Sequence, residues 1–184
     1  MKTLFKFATF FLAATLSVPA AAQANIKFPA GLKWQMMSAA YFNYSQQKGT
    51  AAQKTEAQQI WKGKIVAGEP AFVLIDKVST ADSEYTFTML DTTGGHCIPP
   101  GNGAGMEDMY STCPMKVIQK VKATNKTTSR DIAGYCFLHL DDGPGELAKN
   151  HTSMAYDAKS QTVFFRITQH GKPVPECNRQ IKLK

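Results

Sequence analysis

The sequence predicts a mainly β, single-domain fold: an antiparallel barrel or sandwich of about eight strands with a helix ahead of the sheet. Three observations lead there. From Glu84 onward, outside the Asp91–Met115 stretch, apolar residues recur with a period of two. Clusters of Gly, Pro, Asp and Ser break those runs at short intervals. Four cysteines pair without remainder, which suits a stapled domain in an oxidising compartment.

The chain of 184 residues opens with Lys2 and Lys6, an apolar stretch from Phe7 to Val18, and Ala22-Gln23-Ala24. This order of charge, apolar run and small-x-small site reads as a secretory signal peptide over residues 1–24, with a bacterial flavour in its alanines. The apolar run is too short for a membrane span, and no later stretch approaches one. Residues 25–184 are then one disulfide-stapled domain, long enough for a real core. Loss of Lys2 and Lys6 leaves 19 basic against 14 acidic side chains. The lysines are scattered, so the excess reads as a solvated surface, and no nucleic-acid motif accompanies it.

Leu32–Gln46 carries two periods at once. Leu32, Met36, Ala39 and Ala40 have helical spacing, whereas Trp34, Met36, Ala40, Phe42 and Tyr44 alternate. Met and Ala in its middle favour helix. Thr50 is placed to cap a short polar helix over Ala51–Gln59. Ile60–Val66 reads as extended, stopped by Ala67-Gly68-Glu69-Pro70. Phe72-Val73-Leu74-Ile75 is apolar throughout, as in a strand covered on both faces. Glu84–Leu90 sets Tyr85, Phe87 and Met89 against Glu84, Thr86 and Thr88. Met115–Ala123 sets Val117 and Val121 against Lys116, Lys120 and Lys122. Tyr135–Leu140 carries Cys136, Leu138 and Leu140 on one phase. Thr152–Tyr156 and Thr162–Gln169 form a hairpin with Val163, Phe165 and Ile167 inward. Cys177–Leu183 closes the chain.

Asp91–Met115 breaks this rhythm. Five glycines and two prolines lie between Gly94 and Gly105. That density is incompatible with a helix or an inner ladder. A long structureless loop inside a compact domain is usually functional or disordered. A bridge between Cys97 and Cys113 would close it. The second pair is Cys136 with Cys177, both on the apolar phase of their strands; two other pairings are open on paper. Neither C-x-x-C nor His-x-x-x-His spacing occurs, so no metal or redox cofactor is expected.

The closed loop is therefore the candidate partner-binding element, with His96, Pro99, Pro100, Asn102, Met106, Met109 and Tyr110 as its contact residues. The partner would be a protein or another cell-envelope macromolecule, and the chain a periplasmic or secreted inhibitor or immunity-type protein without catalytic residues. Two other readings stand beside it: a barrel whose cavity carries a small apolar ligand, and an envelope hydrolase using His139, Asp141 and His151. Phe164, Arg166 and Thr168, with Tyr135 and Phe137, form either an aromatic–arginine contact surface or a second core layer. Cysteine catalysis needs a free thiolate, which an even set of bridged cysteines does not leave. No nucleophile elbow, phosphate loop or EF-hand pattern is present.

Overall fold

The computed structural model describes residues 26–98, 110–138 and 146–183. The segment read as a signal peptide lies outside them. Two antiparallel sheets pack face to face as a sandwich and do not close into a barrel. In chain order the elements are β1 (Gln35–Met36), β2 (Ser38–Phe42), α1 (Ala51–Ile60), β3 (Ala71–Ser79), β4 (Ser83–Thr92), β5 (Tyr110–Val121) and β6 (Thr127–Leu138). They continue with α2 (Glu146–Lys149), β7 (His151–Asp157), β8 (Thr162–Gln169), β9 (Lys172–Pro173), a 3₁₀ turn (Pro175–Cys177) and β10 (Arg179–Lys182). One sheet runs β1-β7-β8-β10, with β9 on β8; the other runs β2-β3-β4-β5-β6.

Leu32–Gln46 is not a helix. Its extended reading was the correct one, and it serves both sheets. Gln35 and Met36 pair with β7, Ser38–Phe42 pair with β3, and Met37 N–H donates to Thr152 O (2.9 Å) at the crossing. Thr50 does cap α1, with Gln53 N–H on Thr50 Oγ1 (3.2 Å) and Thr50 N–H on Gln53 Oε1 (2.8 Å). That reciprocal pair satisfies two amides a helix start would otherwise orphan. Ile60–Val66 is not extended either: Lys64 and Ile65 amides both donate to Trp61 O, folding the chain into a turn after α1.

The second sheet is buried on both faces across β2, β3 and β4. Leu74, Tyr85, Phe87, Met89, Met115 and Val117 meet Met154, Val163 and Phe165 of the first sheet. Ala40, Val73, Ile75 and Leu90 face Ala57 and Trp61 of the helical layer. Trp61 Nε1–H donates to Thr88 Oγ1 (3.0 Å) in that buried layer, so neither polar group is left without a partner. The far face of the first sheet is covered by the N-terminal segment: Phe28 packs on Trp34 and Phe164, and the Arg166 guanidinium lies 4.1 Å over Trp34.

The two sheets leave a seam between edge strands β6 and β10. Arg179 bridges it, its guanidinium donating to Ala133 O and Gly134 O (2.9 Å for the latter) and stacking over Tyr135. Those carbonyls belong to a bulge, where two β6 residues oppose Pro114 of β5. Cys136–Cys177 closes the same seam covalently, joining β6 to the turn before β10.

Candidate functional site

The site is the base of the Asp91–Met115 excursion, and Pro114 sets its start. Just past the end of β5, Lys122 N–H donates to Asp82 O, which precedes β4, so by alternation the amides of even-numbered β5 residues point to β4. Pro114 has no such N–H, so the β4–β5 ladder stops at Met89–Met115. In the vacated place Ile98 pairs with Thr112, exchanging two backbone bonds of 2.8 Å. Cys97 and Cys113 face each other on the next, non-hydrogen-bonded rung, with Cα atoms 4.1 Å apart, and are bridged. The loop is thus closed at its root twice, once by sulfur and once by backbone.

The bulge brings the second bridge alongside. Thr112 also pairs with Cys136, and Cys113 with Tyr135. The Cys97–Cys113 bridge faces the main core. The Cys136–Cys177 bridge faces the opposite way, beside Leu138, Ile167 and Val174. This reverses the phase read from the sequence. Tyr135 and Phe137 lie between the sheets, and Cys136 and Leu138 fill a separate small cluster. Cys177 sits in a 3₁₀ turn rather than on a strand. Gly134 makes the crowding tolerable, since a Cβ there would stand 2.7 Å from Thr112 Cγ2 and 3.2 Å from Cys113 O.

Burial pushes the Tyr135 phenol well above its usual range, with the Arg179 charge opposing. Burial likewise lowers Arg179, opposed by Tyr135. Tyr135 OH has no hydrogen-bond partner among the described residues. Asp91 Oδ1 lies 3.0 Å from Cys97 Sγ. Asp91, Cys97 and Cys113 place their ligand-type atoms within 4.8 Å of one another. That cluster is not a metal ligand set as it stands. The sulfurs are bonded to each other, and neither offers a thiolate.

Of the contact residues expected from sequence, Pro99, Pro100, Asn102, Met106 and Met109 lie outside the described residues. His96 is half-buried beside Cys97. Tyr110 begins β5, packs half-buried against the Leu138 cluster, and sets its hydroxyl 3.4 Å from Glu176 Oε1. The sequence reading missed Ile98, which is 69% exposed and held by the rung to Thr112. An apolar residue directly beside Cys97 was the available signal.

No family model, curated protein or solved structure matches the chain. The hydrolase reading keeps only His151 within the described residues, half-buried on β7 opposite Thr168, with His139 and Asp141 outside them. The carrier reading required a barrel. The space between these sheets is instead filled by Phe87, Met89, Met115 and Phe165. The aromatic–arginine surface is a second core layer, because Phe164 is buried under Phe28 and Tyr135 and Phe137 are buried between the sheets.

Proposed function

We propose that the protein is exported to the periplasm or beyond, and that it contacts another macromolecule through the loop closed by Cys97 and Cys113, in the manner of an inhibitor or immunity protein. The observation that carries this is the doubly closed root, with Ile98 exposed on it. A loop held at its root loses less freedom on binding, so more of its contact energy appears as affinity. Two bridges favour an oxidising compartment. No helix among the described residues is long and apolar enough to cross a membrane. Pro99, Pro100, Asn102, Met106 and Met109 are the contact residues, with Ile98, His96 and Tyr110 at their edge.

The test replaces residues 99–109 by a Gly/Ser linker of equal length, keeping Ile98, Thr112 and all cysteines. Wild-type and variant protein are then used to capture partners from envelope extract. The species that wild type retains should be lost, with Tm unchanged. Equal capture by the variant refutes the reading.

A further inference from the structure

The far end of the β5–β6 hairpin carries a second interaction surface, and its geometry points to an extended acidic polypeptide segment as the partner. β6 is an edge strand of its sheet, and it is half sealed. Arg179 and the Cys136–Cys177 bridge occupy its C-terminal half. Its N-terminal half, Thr127–Asp131, is exposed throughout.

The register fixes which backbone groups are open there. Val121 N–H donates to Lys126 O (2.9 Å), so 121 and 126 form a hydrogen-bonded pair. Such pairs alternate along an antiparallel ladder. Gln119↔Thr128 and Val117↔Arg130 are therefore the bonded rungs. The N–H and C=O groups of Thr127, Ser129 and Asp131 point away from β5. Among the described residues, no backbone group pairs with them. An edge of about five residues offers roughly 17 Å of ladder to an added strand.

Charge selects the strand. Between Lys116 and Asp131 stand five basic side chains and one acidic one. Asp131 is neutralised by Lys116, Lys122 is held by Thr80 O, and the Arg130 guanidinium reaches across to Lys182 O (3.5 Å), leaving Lys120 and Lys126 to flank the edge. Edge lysines repel a second copy of the same edge. They attract a strand carrying carboxylates. This surface does not depend on the loop, which meets β5 at its other end, about 35 Å away along the strand.

The test uses a fluorescent peptide of about eight residues alternating Glu and Thr, with a Lys/Thr peptide as control. The acidic peptide should bind saturably and the basic one should not. Ser129→Pro removes only an outward N–H, so the β5 ladder survives while the peptide loses a donor. Affinity should fall roughly tenfold or more with Tm unchanged. On the unmodified chain, hydrogen exchange at the Thr127 and Ser129 amides should slow when peptide is added. No acidic-peptide binding at about 1 mM, or equal binding by a stably folded Ser129→Pro, overturns the inference. If that variant loses stability, the exchange measurement decides: slowed amides support strand addition, and unchanged amides overturn it.

Discussion

Cutting the seam bridge is expected to cost more than cutting the loop bridge, even though the loop bridge sits at the proposed site. Cys136 and Cys177 are 41 residues apart, Cys97 and Cys113 only 16. On the chain-entropy relation these closures are worth about 4 and about 3 kcal/mol. Cys177 and Cys113 are both fully buried, so the gap left by alanine is similar in each case and cancels in the comparison. Cys136→Ala/Cys177→Ala should therefore lose about 1 kcal/mol more than Cys97→Ala/Cys113→Ala. For a domain of this size, the seam double mutant should melt roughly 8–16 °C below wild type. Arg179 still spans β6 and β10 in that variant, so its near-ultraviolet spectrum should stay native below the transition. Urea unfolding followed by fluorescence, without added thiol, gives both free energies. A seam loss below about 1 kcal/mol, or a larger loss from the loop pair, would refute the reasoning that the length of chain each bridge closes sets its worth.

Two further outcomes follow from local geometry. Gly134→Ala should destabilise by about 1–3 kcal/mol, because the new methyl meets Thr112 Cγ2 at 2.7 Å. Thr112→Ser in the same chain removes that methyl and should recover most of the loss; additive losses in the double mutant would contradict the contact. Asp157 accepts from Ser160 Oγ, Lys159 N and Ser160 N, and these bonds hold its carboxyl below the usual range. A lowered folded pKa gives stability that is present above the ordinary carboxylate range and is lost as pH falls through the lowered value. Asp157→Asn should therefore flatten the acid limb of Tm against pH, measured from about pH 6 to pH 2. Parallel curves for the two proteins would contradict it.

Much of the fold could be read from the sequence where one face of a strand is polar. It became ambiguous where both faces are covered. Tyr85, Phe87 and Met89 alternate with threonines and were placed correctly. In β6, Cys136 and Leu138 look more apolar than Tyr135, yet both phases are buried at that end, so alternation could not say which meets the other sheet. The double period of Leu32–Gln46 had a physical cause. Met37 is the crossing point between sheets, and residues on either side satisfy different neighbours. Ile60 and Ile65 mimicked a strand because both pack beneath the same sheet from a helix end and its turn. The stapled loop was recognisable from its glycines, prolines and cysteines. Its early end at Tyr110 was not, because Pro114 reads as a loop residue until the partner facing its missing donor is known.

The central claim is that the closed loop, and not the exposed apolar residues elsewhere, faces the partner. A photo-crosslinking residue placed at Ile98, beside the loop, and separately at Met36, 55% exposed on β1, tests it directly. In intact cells the account predicts one discrete adduct from position 98 and none from position 36. The same adduct from both positions, or an adduct from 36 alone, would contradict it.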